Sequence, residues 1–147
     1  MSGVEVSVEM RAEPTAVWEV LADVERLDEW LTVHVEFEED PPGVIEEGSE
    51  LQQKVSSGEF GARVEWVVET LEEPELMCWR GTATGGAELR TTYRLVPTDG
   101  GTRVECATDF ELPGGPLGSL AAKVAAPRGR EEAEASLDRL RRIVEQS

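Results

Sequence analysis

The chain has a single histidine, His34, and two cysteines, Cys78 and Cys106. So few soft ligands exclude a His/Cys metal cluster and a disulfide scaffold. An all-carboxylate metal site stays open by composition, but no EF-hand spacing is present, and neither a metal nor a cofactor is assigned. No run of about 18 apolar residues occurs, which excludes a membrane-spanning helix. The opening MSGVEVSVEM lacks a basic stretch followed by an apolar core. It does not read as a signal peptide, and a cytoplasmic location is expected. Positive charge is scarce: 14 Lys and Arg stand against 31 Asp and Glu, a net charge of −17. Nucleic acid and anionic membrane surfaces would be repelled. An acidic host proteome and a basic protein partner account for this acidity equally well, and no particular protein partner follows from it.

What is present is enough for one ordinary domain spanning residues 1–147. Val4, Val6, Val8 and Met10 alternate with polar residues, the period of a half-buried strand. Pro14 suits the first turn of a helix carrying Val17, Trp18, Leu21 and Val24, and a second short helix carries Leu27, Trp30 and Leu31. Alternation then resumes. Val33, Val35 and Phe37 are placed inward, so His34 is placed in solvent beside Glu36. Further inward sets are Leu51/Gln53/Val55, Val64/Trp66/Val68, Met77/Trp79/Gly81, Leu89/Thr91/Tyr93/Leu95 and Val104/Cys106/Thr108/Phe110. Turn residues such as Asp99-Gly100-Gly101 separate them, which implies an antiparallel meander.

After Pro113-Gly114-Gly115-Pro116 the pattern becomes helical. Leu117, Leu120 and Val124 form one apolar set, and Ala133, Leu137, Leu140 and Val144 form another. The two sets are about half a turn out of phase at 3.6 residues per turn. A break at Pro127 is therefore expected, with the first set forming a separate flap that gates an internal space.

The stretches Ala12-Glu13-Pro14-Thr15-Ala16-Val17-Trp18-Glu19-Val20-Leu21-Ala22-Asp23 and Leu27-Asp28-Glu29-Trp30, with the later hairpin Leu95-Val96-Pro97-Thr98-Asp99-Gly100-Gly101-Thr102-Arg103-Val104, resemble the START-like (SRPBCC, polyketide cyclase/dehydrase-like) superfamily. The resemblance covers nearly the whole chain. It implies an α+β helix-grip fold: a seven-stranded curved antiparallel sheet around a long C-terminal helix, with two short helices between the first two strands. Members that look like this include lipid and sterol carriers, hormone-binding and pollen-allergen-like proteins, aromatase/cyclases, and toxin-like or ubiquinone-binding proteins.

Strand parity and this resemblance together nominate a ligand site. Its residues are Gln53, Val64, Trp66, Met77, Trp79, Thr91, Tyr93, Cys106, Thr108, Phe110, Leu120 and Val124. An apolar space with a few polar groups suits a small hydrophobic molecule such as a lipid, quinone, isoprenoid or polyketide-like compound. No catalytic residue is assigned. Arg63, Arg80, Arg90, Arg94 and Arg103 fall on the outer face by parity, where glutamates can pair with them. That weakens the alternative, a polyketide cyclase or dehydratase, which needs an acid or donor inside the space. Tyr93 is the one inward candidate for that role. Cys78 falls outward and Cys106 inward, too far apart in orientation to bond.

Overall fold

The computed structural model describes residues 2–58 and 60–146. Strand β1 (Ser2–Met10) leads into helix α1 (Pro14–Leu21), a 3₁₀ turn (Val24–Arg26) and helix α2 (Leu27–Trp30). Strands β2 (His34–Phe37), β3 (Glu50–Ser57), β4 (Phe60–Glu72), β5 (Leu76–Ala83), β6 (Glu88–Thr98) and β7 (Gly101–Glu111) follow, and helix α3 (Pro116–Glu145) ends the fold. The seven strands form one antiparallel sheet in the order β1-β7-β6-β5-β4-β3-β2. The sequence thus encodes the expected α+β helix grip.

The hairpin motif has a structural reason. Thr102 is fully buried and its hydroxyl donates to the Ala12 carbonyl at 2.7 Å, which ties β7 to the turn between β1 and α1. Gly101 lies so close that a Cβ there would sit 2.1 Å from the Met10 carbonyl oxygen. Only glycine fits such a backbone approach. The two short helices then close one end of the core with Val17, Trp18, Leu21 and Trp30, all buried. Each large side chain so buried stabilises the fold by about 1.5–3 kcal/mol.

Helix α3 departs from expectation. It runs unbroken from Pro116 to Glu145 with Pro127 inside it, so there is no hinge and no separate flap. The phase difference read from the sequence is real, but it is resolved another way. Leu117, Leu120 and Val124 remain on the outer face, 78%, 60% and 75% exposed. The face turned to the sheet carries Gly118, Ala122, Ala126, Gly129, Ala133, Leu137, Leu140 and Val144, a continuous series of three- and four-residue steps. Pro127 is exposed and lies off this series. Its missing N–H therefore costs one helical bond on the solvent side, where water can reach the freed carbonyl. Gly118 is buried because the first turn presses on the preceding loop, where a Cβ would lie 2.4 Å from the Leu112 carbonyl oxygen.

The change in side-chain size along this face sets the shape of the interior. In the second half of α3, Leu137, Leu140 and Val144 fill the concavity of the sheet. In the first half the inward residues are small, and open space flanks the helix on both sides. No helix among the described residues is long and apolar enough to cross a membrane.

Candidate functional site

One cleft, of ≈ 400 Å³, lies between the start of α3 and the far end of the sheet. Phe110, Leu112, Ser119 and Ala122 line it, with Gly86 and Glu88 of the β5–β6 turn at its rim. A second opening, of ≈ 390 Å³, runs between α3 and the β1 edge past Gly3, Val4, Lys123, Ala126 and Arg130. Both exist because Ala122 and Ala126 stand where the second half of α3 carries leucine.

The inner face of the sheet leads away from the first cleft in register. Phe110 of β7 is half-buried, and two residues deeper on the same face is Thr108. Thr108 pairs with Thr91 of β6, and Thr91 with Trp79 of β5. The Thr91 and Thr108 hydroxyls are 3.5 Å apart, a long contact in which either can donate. The next row inward is Met77, Tyr93 and Cys106, all buried. Trp79 is 8% exposed, and its ring meets Trp66 edge-on at 5.9 Å between centroids. Trp66 packs over Gly81, where a Cβ would fall 2.6 Å from the indole. Gly81 is therefore part of the seat for Trp66.

Of the nominated residues, Gln53, Val64, Trp66, Met77, Trp79, Tyr93 and Cys106 are buried, and Thr91, Thr108 and Phe110 are half-buried at the open end. Leu120 and Val124 lie on the opposite, solvent face of α3 and do not reach this space. The sheet arginines point outward as expected. Arg63 pairs with Glu38, Arg80 and Arg90 with Glu69, and Arg103 with Glu105. Both cysteines are free; Cys78 is buried rather than exposed, and its sulfur lies 3.5 Å from the Thr92 hydroxyl.

His34 is the main correction within the site. Parity placed it in solvent, but a bulge in β2 shifts the register between His34 and Glu36. His34 pairs with Val55, Glu36 with Lys54 and Phe37 with Gln53. Val35 becomes the extra residue and is exposed, while His34 turns inward, half-buried against the Phe37 ring. Its Nδ1 lies 2.8 Å from Gln53 Nε2, and Gln53 Oε1 accepts from Trp66 Nε1 at 2.9 Å.

The direction of this relay follows from chemistry. An indole N–H can only donate, so the Gln53 oxygen must face Trp66 and its amide nitrogen must face His34. Gln53 then donates to Nδ1, which must be unprotonated. The imidazole is therefore neutral, with its proton on Nε2. Burial lowers the His34 pKa, against smaller opposing pulls from Asp28 and Glu36.

Burial likewise raises the Tyr93 pKa well above its ordinary value, with the neighbouring Cys106 adding to the shift. The Cys106 thiol is pushed up to about 11, again chiefly by burial. Both groups are neutral near pH 7 and offer no nucleophile or base.

Comparison with known proteins agrees with this architecture. The chain is 29% identical over 127 residues to the "Uncharacterized protein Rv1546" of Mycobacterium tuberculosis, covering 84% of this chain and 87% of the relative. It is 28% identical over 120 residues to "Toxin Rv0910" of the same organism, covering 79% and 82%. A crystal structure of a protein from Rhodobacter sphaeroides superposes with a TM-score of 0.74 at 22% identity, covering 97% of this chain and 91% of that one. Residues 1–145 match the polyketide cyclase/dehydrase and lipid transport family, and the chain belongs to that family.

Proposed function

We propose that this protein binds and carries a small hydrophobic molecule in the space between the first half of α3 and the inner face of β5, β6 and β7. The observation that carries the reading is the cleft at Phe110 and Ala122, ≈ 400 Å³ in volume. That volume falls within the range of small-ligand sites, roughly 300–1,000 Å³. On the same sheet face as Phe110 lie the half-buried Thr91 and Thr108, and the family to which the chain belongs is described as polyketide cyclase/dehydrase and lipid transport. A lipid, quinone, isoprenoid or polyketide-like compound would suit such a lining.

The cyclase or dehydratase alternative rests on the family, with Tyr93 as its one inward acid or donor candidate. Burial keeps its phenol protonated, so it could donate a hydrogen bond to a carbonyl but could not act as a base. The carrier reading needs no such group and is the one favoured.

Titration with ring-containing and chain-like apolar fluorophores tests the reading through energy transfer from tryptophan. Saturable binding to native protein is expected, and Thr91→Trp should block it while the protein stays folded. A failure of every probe to bind folded protein would refute carriage. Native mass spectrometry of protein purified from its own host would then identify a co-purifying ligand.

A further inference from the structure

The net charge of −17 is unevenly spread. Between Glu111 and Glu131 the chain has no acidic residue and three basic ones, Lys123, Arg128 and Arg130, while all 31 acidic residues lie elsewhere. This stretch is the first half of α3 and the loop before it. The three basic side chains are exposed, and among the described residues none of them forms an ion pair with a carboxylate. Arg128 Nε donates to the Ser57 hydroxyl at 3.0 Å, and Arg130 donates to the Glu5 carbonyl at 2.9 Å. Both acceptors are neutral, so the positive charge stays uncompensated. The sheet arginines Arg63, Arg80, Arg90 and Arg103 are all paired with glutamates.

The same half-helix carries the exposed apolar residues Leu117, Leu120 and Val124. Steps of three and four residues put them on one side of α3. Arg128, four residues after Val124, continues that side, and Lys123 flanks it.

We infer that the first half of α3 docks on an anionic lipid bilayer surface, with Leu117, Leu120 and Val124 entering the interface and Lys123 and Arg128 meeting anionic headgroups. This goes beyond ligand binding and does not depend on it. An apolar stripe beside basic residues is the composition of helices that lie in a membrane interface. A second copy of the chain suits the stripe less well. A standard protein interface takes about 20–30 residues a side, and only three large apolar ones are offered here.

Net charge alone predicts repulsion from an anionic surface, but its distribution reverses this locally. Glu69 and Glu105 pair with arginines on the outer face of the sheet, on the far side from α3. A helix is about 10 Å across and charges are screened over about 8 Å at physiological ionic strength, so these carboxylates add little repulsion at a surface lying on α3. Ser119 and Ala122, in the same turns as Leu120, line the cleft, so docking brings the mouth of that cleft to the bilayer.

Flotation with vesicles, without added ligand, tests the inference. Vesicles of equal parts phosphatidylcholine and phosphatidylglycerol should carry the protein, and vesicles of phosphatidylcholine alone should carry much less. Lys123→Gln should lower affinity for the mixed vesicles by about fivefold, the worth of one basic residue at an anionic surface. Leu120→Ser should lower it by about tenfold, the worth of keeping one leucine in water. Both side chains are exposed, so the variants should melt as the wild type does. Val67→Ser, on the outer face of β4, removes an exposed apolar residue far from α3 and should leave binding unchanged. No flotation with either vesicle, equal flotation with both, or a loss in Val67→Ser matching that in Leu120→Ser overturns the inference. So does self-association in sedimentation velocity that Leu120→Ser abolishes, which would make the stripe an interface between copies. None of these results bears on ligand binding, which the fluorophore titration measures without vesicles.

Discussion

Replacing Gln53 with leucine removes the middle of the Trp66–Gln53–His34 relay at nearly constant volume. Gln53 is 2% exposed and Trp66 9%, so no solvent reaches Trp66 Nε1 once its acceptor is gone. The loss of one buried partner costs about 1–3 kcal/mol, while the half-exposed His34 Nδ1 can turn to water and adds little. No cavity is created, so the transfer and cavity penalties of a core truncation do not arise. The expected destabilisation is about 2 kcal/mol, or a fall in Tm of about 6 °C for a chain of this size. Urea unfolding followed by circular dichroism measures it. The decisive comparison is a double-mutant cycle with Trp66→Phe. In that background the donor is already absent, so Gln53→Leu should cost less by 1 kcal/mol or more, about the worth of one such bond. Additive losses, agreeing within about 0.5 kcal/mol, would show that the two side chains are not coupled and would refute the directed relay.

The same relay makes stability depend on pH. His34 has its pKa lowered in the fold, so the unfolded chain binds its proton more readily; the histidine contribution is complete above the unfolded value of about 6.5 and is lost as pH falls through the lower folded value. The urea midpoint should fall between pH 7 and 5 by more in the wild type than in His34→Leu, and the single histidine resonance should titrate below its ordinary range; a midpoint above it would contradict the relay. Gly81→Val should push Trp66 off its seat and cost roughly 1–3 kcal/mol by overpacking, with a change in tryptophan fluorescence; an unchanged melt would contradict the contact. Leu120→Ser and Val124→Ser should each alter stability by no more than about 0.5 kcal/mol, because both side chains stand in solvent; a loss of several times that would place them in the core instead.

Legibility in the sequence differed from element to element. Alternation in β1, β6 and β7, and in β4 as far as Val68, gave the correct inner face, and Thr102, Gly101 and the Pro14 helix start carried the local geometry that marks the fold. Alternation failed in β2 because a bulge has no signature in a four-residue strand: nothing in His34-Val35-Glu36-Phe37 says which residue will be unpaired. The α3 stripe was readable in principle, but only if the small residues Gly118, Ala122, Ala126 and Gly129 are counted with the face turned to the sheet. Counting large apolar residues alone produced two out-of-phase sets and a hinge that the helix does not have.

The sequence by itself determined the order of elements, the antiparallel sheet, the side of each long strand that faces inward and the absence of an inward arginine on those strands. These follow from periodicity and turn chemistry, which act over a few residues. Tertiary structure alone decided where the space lies, that His34 turns to the inner side and is half-buried there, and that Trp79 lacks a partner while Trp66 has one. Each of these depends on residues far apart in the chain meeting at a set distance: Gln53 against His34 and Trp66, and small residues of α3 against the end of β7. Local pattern fixes which face a side chain is on; only the closed fold fixes what it meets there.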